Sequence, residues 1–258
     1  MTEASSPLTW TAADGIFVVR LANPPVNALA PRLLDELDAA LDAFATDSGR
    51  VLVITSSVEG FFAAGADIKT MVAIDREGFV AYGHQLRSVV ERIASLDQPS
   101  VAVVEGRALG GGMELALACT LRVAARGGRM GLPEAKIGLI PSAGATQRLP
   151  RYIGRGRALE LMLSGREVDA DEALRIGLVD RVADAGRAEA DAVALAGTLA
   201  ALSRPALRDV IRCVDDSADL PMAAGLAGEV VRMEALFDGP DVHEGMQAFV
   251  EKRPPRFS

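Results

Sequence analysis

Two glutamates lie in apolar surroundings, where a carboxyl group can take part in proton transfer. Glu114 is followed by residues 115–119, which are all apolar, and Glu134 follows Pro133 within an apolar segment. Because burial penalises the charged form, the pKa of each carboxyl should rise toward the range useful for acid–base chemistry. The pair could supply one acid and one base. Structural explanations stay open for each residue: Glu114 could complement the positive end of a helix, and Glu134 could lie in a solvated turn.

Two loops rich in small residues share one design. Residues 61–67 and residues 108–114 each follow an apolar strand and lead toward a helix. Small residues let a ligand approach the main chain, and N–H groups at a helix start have no partner within the helix. One N–H group from each loop could therefore converge on a single oxygen atom and form an oxyanion hole. Tight packing of helix against strand is the alternative explanation, because glycine-rich turns are common in α/β folds.

Strands and helices must alternate along the chain to position both loops. Residues 51–55 form a continuous apolar run, which predicts a strand buried on both faces. Residues 101–104 repeat this pattern, while residues 31–47 and 84–96 carry apolar side chains at helical spacing. From Gly144 onward the pattern is almost wholly helical. This order predicts an α/β core with an α-helical C-terminal part.

Composition and charge argue against several classes of partner. The chain has 258 residues, a formal net charge of −8 and no long basic run, which disfavours nucleic acid or an anionic membrane. Cys119 and Cys213 are far apart and lack metal-ligand spacing, so we predict no disulfide framework, no metal and a cytoplasmic location. No apolar run is long enough to span a membrane, and residues 1–7 lack the pattern of a signal peptide.

Several segments together carry a resemblance that no single motif would establish. They occur in family order from about residue 15 to the C-terminus, without a large insertion. On these segments the chain resembles the crotonase superfamily, also called the enoyl-CoA hydratase/isomerase family. The segments are residues 62–69, 108–116, 132–134 with Gly138, 146–151, 173–179 and 244–253.

The resemblance implies a fold and an assembly. The fold is α/β and crotonase-like (ClpP/crotonase), a spiral of ββα units in residues 1–195 with an α-helical C-terminal trimerisation region in residues 196–258. The family implies a homotrimer or a homohexamer of two trimers, with the helices after about Ile211 at the trimer contact. An apolar face at helical spacing fits this assembly, although a place in the core of one subunit would explain it equally well. The face consists of Leu226, Val230, Met233 and Phe237.

Catalytic roles for four residues follow from the resemblance. The N–H groups of Ala66 and Gly111 would hold the thioester oxygen as it becomes enolate-like. Glu114 and Glu134 would flank the reacting double bond and hold a water molecule between them. In the hydratases of the family, the residue at the Glu114 position is taken as the base on water, and the one at the Glu134 position delivers the proton to Cα.

Binding of the coenzyme A thioester is assigned in the same way. The Ala64 carbonyl would contact the adenine, Ala28 would line its path, and Lys252 would reach a coenzyme A phosphate in a neighbouring subunit. Ser142 occupies a position where the family usually has glycine, so its side chain bears on the acyl pocket and the catalytic water. The remaining candidate substrate-binding residues are Asp67, Ile68 and Lys69. No separate cofactor is implied, because coenzyme A is part of the substrate.

Three functions remain open at this point. The presence of both glutamates favours an enoyl-CoA hydratase, since many relatives keep one or neither. The alternatives are an enoyl-CoA isomerase that moves a double bond with one glutamate, and a non-catalytic paralogue that binds acyl-CoA. A Rossmann dehydrogenase is excluded because no Gly-x-Gly-x-x-Gly motif follows the first strand.

Overall fold

Strands and helices alternate along most of the chain, and helices dominate its last part. The computed structural model describes residues 6–47 and 49–257. The strands are β1 (Leu8–Ala13), β2 (Ile16–Leu21), β3 (Val51–Ser56), β4 (Phe61–Ala63), β5 (Ser100–Val104), β6 (Arg107–Leu109), β7 (Leu121–Ala125), β8 (Arg129–Gly131), β9 (Glu167–Asp169) and β10 (Arg181–Ala183). The helices are α1 (Pro31–Thr46), α2 (Ile68–Ala73), α3 (Arg76–Ala94), α4 (Gly111–Ala118), α5 (Ala145–Ile153), α6 (Arg155–Ser164), α7 (Ala170–Ile176), α8 (Ala188–Ala200), α9 (Arg204–Asp216), α10 (Met222–Phe237) and α11 (Pro240–Glu251), with a short 3₁₀ helix at Glu134–Ile137.

Two sheets organise the strands. The larger sheet has the order β1-β2-β3-β5-β7-β10 and is parallel except for the β1–β2 pair. The smaller sheet has the order β4-β6-β8-β9, and β9 runs antiparallel to β8. The successive pairs β3–β4, β5–β6 and β7–β8 therefore each give one strand to each sheet before the chain enters a helix. This arrangement confirms the predicted repeated ββα unit.

The smaller sheet brings three loops to one place. Strands β4, β6 and β8 are neighbours and run parallel, so their carboxyl ends meet at one edge of the sheet. Ala66 follows β4, Gly111 follows β6 and Glu134 follows β8. The topology alone therefore gathers segments that are far apart in sequence.

The central strands of the larger sheet, β3, β5 and β7, are buried on both faces, as the apolar runs predict. On β3, Leu52 and Ile54 belong to the main core beneath α1 and α3, whereas Val51 and Val53 pack in a second cluster with α8. Full burial of such side chains stabilises the fold by about 1.5–3 kcal/mol each. This packing makes the larger sheet a rigid support for the loops that leave the smaller one.

The sequence pattern missed short or exposed elements. The helix expected at residues 84–96 begins at Arg76, where the Asp75 carboxylate accepts a hydrogen bond from the Gly78 N–H and caps it. The region after Gly144 is not wholly helical, because it contains β9 and β10. Strands of three residues are too short to show periodicity, and their pairing partners are distant in sequence.

The helices α9 to α11 bury little apolar surface. Helix α10 has no buried residue, and its apolar face is half exposed or more, with values of 52% for Leu226, 56% for Val230 and Met233, and 50% for Phe237. The alternative that this face belongs to the core of one subunit is therefore wrong. The division between residues 195 and 196 stays a prediction, and it lies within α8. Among the described residues, none of the helices combines the length and apolarity needed to cross a membrane.

We expect this exposed face to be covered by further copies of the chain. Light scattering at micromolar concentration should give the mass of a trimer or hexamer, because an apolar patch this extensive is unfavourable in water. Val230→Arg should shift the mass toward the monomer. Leu163→Arg, at an exposed apolar residue of α6 outside this face, is the matched control and should leave the mass unchanged. A monomeric parent would contradict the assembly.

Candidate active site

One cavity of about 730 Å³ lies where the three loops meet. Both small-residue loops, helix α3 and residues 133–142 contribute to its wall. Seven of the residues singled out in the sequence line it together. They are Ala64, Ala66, Ile68, Gly111, Glu114, Glu134 and Ser142.

The two small-residue loops approach each other at main-chain distance. A Cβ atom placed on Gly65 would lie 3.0 Å from the Gly111 nitrogen, and one placed on Gly111 would lie 3.5 Å from the Ala66 nitrogen. The neighbours of Ala66 are engaged, because the Gly65 carbonyl accepts from the Leu29 N–H at 2.8 Å. The N–H groups of Ala66 and Gly111 donate to no acceptor within residues 6–47 and 49–257. Two free donors therefore lie on opposite sides of the gap between the loops.

The glycines of the second loop serve both packing and access. A Cβ on Gly112 would lie 2.1 Å from the Ala63 carbonyl oxygen, so this glycine is required where α4 packs against β4. Gly110 has a φ of 51°, and a Cβ there would lie 2.8 Å from Glu134 Oε1. Gly111 is the first residue of α4, where N–H groups lack helical partners. Packing of helix against strand explains Gly112, whereas Gly110 and Gly111 line the cavity, and Gly110 lets the Glu134 carboxyl approach the main chain.

Glu114 is almost fully buried and held by the main chain. Its side chain belongs to a residue only 2% exposed, and Oε1 accepts from the N–H groups of Ala143 at 2.7 Å and Ala145 at 3.0 Å. Burial raises the pKa of this carboxyl, while the two N–H groups and the nearby Arg148 guanidinium oppose the rise. These contacts fix the orientation of the carboxylate. A glutamate that only complemented the positive end of a helix would not need them.

The peptide group between Ser142 and Ala143 connects Glu114 to helix α3. Its N–H donates to Glu114, and its carbonyl, on Ser142, accepts from Arg87 Nε at 3.0 Å. A peptide group bound at both ends has little freedom to rotate. Arg87 therefore helps to fix the donor that orients Glu114.

Glu134 begins the 3₁₀ helix and points into the cavity. Burial raises the pKa of its carboxyl to about 7, with a smaller contribution from the charge of Glu114. Its Oε2 atom is buried and makes no hydrogen bond within the described part of the chain. A buried carboxyl oxygen without a partner is unfavourable, so this position is suited to a proton and a bound ligand. The alternative of a fully solvated turn does not describe this environment.

Four of the residues singled out in the sequence lie outside the cavity lining. Asp67 caps α2, accepting from the Lys69 N–H at 3.0 Å and from the Thr70 hydroxyl at 2.8 Å. Ala28 lies beside the first loop, one residue before Leu29, which pairs with Ala66. Lys252 is the C-cap residue that follows α11, in the C-terminal helical region. The predicted coenzyme A contacts of Ala28, Asp67, Lys69 and Lys252 stay predictions.

Helix α3 supplies cavity residues that the sequence pattern did not reveal. Besides Arg87, the main one is Tyr82, whose hydroxyl donates to the Leu29 carbonyl at 2.6 Å and accepts from the Asp67 N–H at 2.8 Å. Burial raises the pKa of Tyr82 to about 12, so the hydroxyl keeps its proton. Tyr82 thereby connects Asp67, the residue after Ala66, to Leu29, whose N–H in turn donates to the Gly65 carbonyl on the other side of Ala66. The helical spacing between Phe79, Tyr82 and Leu86 is the signal that could have extended the predicted helix to include them.

Comparison with known proteins places the chain in a family. A sequence profile described as Enoyl-CoA hydratase/isomerase matches residues 11–258. A Bacillus subtilis protein named probable enoyl-CoA hydratase is 40% identical over 247 residues, covering 94% of this chain and 95% of the relative. Mouse mitochondrial methylglutaconyl-CoA hydratase is 39% identical over 236 residues, covering 90% and 75%. The crystal structure of enoyl-CoA hydratase from Bacillus anthracis matches with a TM-score of 0.94 at 35% identity, covering 97% and 98%.

The chain therefore belongs to the enoyl-CoA hydratase/isomerase family and has the crotonase fold. The first match spans nearly the whole chain, and the Bacillus anthracis structure covers almost all of it. These findings confirm the family, the fold and the enzymatic character that the sequence predicts.

The raised pKa of Glu134 predicts how stability depends on pH. A carboxyl whose pKa in the folded state lies above its ordinary value of 4.5 stabilises the folded state at pH values below 4.5. This contribution to the free energy of unfolding is lost as the pH rises through about 7. Glu134→Gln removes the ionisation. From about pH 5 to about pH 8, its free energy of unfolding should therefore rise relative to the parent by on the order of 1–2 kcal/mol, allowing for partial solvent access.

Urea unfolding at both pH values measures this difference. Glu59→Gln, at an exposed glutamate in the turn between β3 and β4, is the matched control and should show little pH-dependent change. A Glu134→Gln difference that does not vary with pH would show that the carboxyl titrates normally.

Proposed function

We propose that this protein catalyses the reversible addition of water across the 2,3 double bond of an enoyl-CoA thioester. The observation that carries the proposal is the convergence of two carboxyls with raised pKa and two free N–H groups on one cavity. The names of the Bacillus subtilis and mouse relatives, both hydratases of CoA thioesters, support it.

The two free N–H groups act on the thioester carbonyl. When water attacks the β-carbon, negative charge develops on the thioester oxygen as the enolate forms. The N–H groups of Ala66 and Gly111 receive this oxygen between the loops. Donors that are already fixed stabilise developing charge without reorganisation, and the loss of one such donor typically lowers turnover by about 10²–10³-fold.

In the reaction one glutamate accepts a proton and the other donates one. In hydration, ionised Glu114 takes a proton from water as the hydroxyl bonds to the β-carbon, and protonated Glu134 delivers a proton to the α-carbon. The two N–H groups that donate hydrogen bonds to Glu114 favour its ionised form. The buried oxygen of Glu134, which has no hydrogen-bond partner within the described residues, favours the protonated form of that residue. Dehydration begins with the proton on the other glutamate. The pair therefore carries one proton in both directions.

Recognition of the coenzyme A portion falls to the rim of the cavity. We assign the Ala64 carbonyl and Ala28 to the adenine, and the ammonium groups of Lys69 and Lys252 to phosphates. Lys252 follows α11 in the C-terminal helical region, and we assign its contact to the coenzyme A bound by a neighbouring subunit of the proposed trimer or hexamer. No separate cofactor takes part in this scheme. We keep the cytoplasm as the proposed location, because both cysteines are free thiols.

An isomerase that shifts a double bond is the second function to test, because it would use the same oxyanion site with one glutamate. The hydrogen bonds that orient Glu114 favour the hydratase, since an isomerase has no water to activate. A protein that only binds acyl-CoA has no use for either carboxyl.

Substitution of each glutamate distinguishes these functions. Glu114→Gln and Glu134→Gln should each lower kcat for hydration of crotonyl-CoA by about 10²–10⁴-fold, because an amide keeps the shape but cannot exchange the proton. The double variant should lose little more than either single variant, since the two residues act in one step. Binding of a saturated acyl-CoA should remain close to the parent value.

The same variants are assayed for conversion of a 3-enoyl-CoA to the 2-enoyl form. Strong dependence on Glu134 alone, with Glu114→Gln near the parent rate, would support an isomerase instead. Glu59→Gln is the control and should retain full activity. A parent protein that turns over neither thioester would refute the enzymatic proposal.

A further inference from the structure

Arg87 is a cation of the cavity wall that the proposed mechanism leaves largely unused. It is the only arginine lining the cavity in residues 6–47 and 49–257. Its Nε atom donates to the Ser142 carbonyl at 3.0 Å, and this contact fixes the direction of the guanidinium. It forms no ion pair with any acidic side chain of the described chain. The two terminal nitrogens are therefore uncommitted.

Arg87 lies close to Glu114, beside which the acyl group of the substrate would bind. One peptide group separates its Nε from the Glu114 carboxylate, because the Ser142 carbonyl and the Ala143 N–H belong to the same peptide. Under the proposed function, the β-carbon of the substrate lies beside Glu114. On this assignment, the guanidinium would face the far end of a short acyl chain, because it lines the same cavity one peptide group away from Glu114.

Other cations in the cavity are less available for this role. Lys136 lines it, but its ammonium donates to the Gly165 carbonyl at 2.6 Å, at the end of α6. Both carboxyls of the cavity, on Glu114 and Glu134, belong to the catalytic pair. A ligand carboxylate would therefore meet Arg87 as its principal charged partner.

We propose that Arg87 is a specificity-determining residue that selects enoyl-CoA thioesters whose acyl chain ends in a carboxylate. The proposal rests on the proposed hydratase function and names its substrate class. A guanidinium held through Nε presents its two terminal nitrogens side by side, in the geometry that matches the two oxygens of a carboxylate. Much of the cavity lining is apolar, including Phe79, Leu86 and Leu139, so an uncharged acyl chain would fit in the cavity but would leave Arg87 without a charged partner.

The test compares thioesters that differ only in the terminal charge. Glutaconyl-CoA carries a free carboxylate, and the same thioester capped as a methyl ester is its neutral match. The parent should hydrate glutaconyl-CoA with a kcat/KM about tenfold or more above that of the ester. Arg87→Met should lower this ratio about tenfold, the loss expected for one hydrogen-bonded charge pair at a partly solvated site.

The ratio of the two kcat/KM values distinguishes a role of Arg87 in substrate selection from its role in orienting Glu114. Loss of the Ser142 contact in Arg87→Met would slow both thioesters alike and leave the ratio unchanged. Arg157→Met, at an exposed arginine of α6 outside the cavity lining, is the matched control and should alter neither rate. An unchanged ratio in Arg87→Met, or a parent that prefers the ester, would overturn the proposal.

Binding of saturated analogues provides a readout that does not depend on turnover. Calorimetry with glutaryl-CoA and its methyl ester should show the same preference in the parent and its loss in Arg87→Met. Hydration of crotonyl-CoA without preference for the charged thioester would refute the substrate class and leave the hydratase proposal intact. Absence of hydration with every thioester would refute the hydratase proposal, and the calorimetric preference would then decide the role of Arg87.

Discussion

The close approach of two main-chain segments at the ends of β4 and β6 determines the geometry of the whole site. Gly112 packs directly against the Ala63 carbonyl, and Gly65 faces the Leu109 carbonyl at a distance that excludes any side chain. Because neither position tolerates a Cβ atom, the loops can meet closely enough to bring the N–H groups of Ala66 and Gly111 together. The parallel register of the smaller sheet supplies the alignment, and the doubly covered larger sheet supplies the rigidity.

Around this gap, each polar group of the site is fixed by a contact from another element. Tyr82 holds the first loop, the Ala143 and Ala145 N–H groups hold Glu114, and Arg87 holds the Ser142–Ala143 peptide. Glu134 differs from these groups, because its Oε2 atom is buried and makes no hydrogen bond within the described residues. Acid–base groups work best when their pKa lies near the working pH, and burial produces that condition for Glu134.

The sequence predicted the parts of the fold that depend on long apolar patterns. The strand at residues 51–55 and the helix that carries Glu114 could be predicted, because elements that are buried on all sides consist almost wholly of apolar residues. The three-residue strands were missed because their stability comes from partners distant in sequence. For Leu226 and its neighbours, the pattern could not distinguish the subunit core from an exposed face, since both require the same apolar spacing. Arg87 was missed because its role depends on the loop at Ser142, which no local pattern connects to α3.

We expect the two loops to hold the thioester oxygen between their N–H groups while both glutamates face the reacting carbons. A crystal structure with a bound 3-hydroxyacyl-CoA product would reveal this arrangement. The thioester oxygen should lie about 2.7–3.1 Å from both the Ala66 and Gly111 nitrogens. The product hydroxyl should contact Glu114. A thioester oxygen bound elsewhere, or a hydroxyl that contacts neither glutamate, would show that the site does not work in this way.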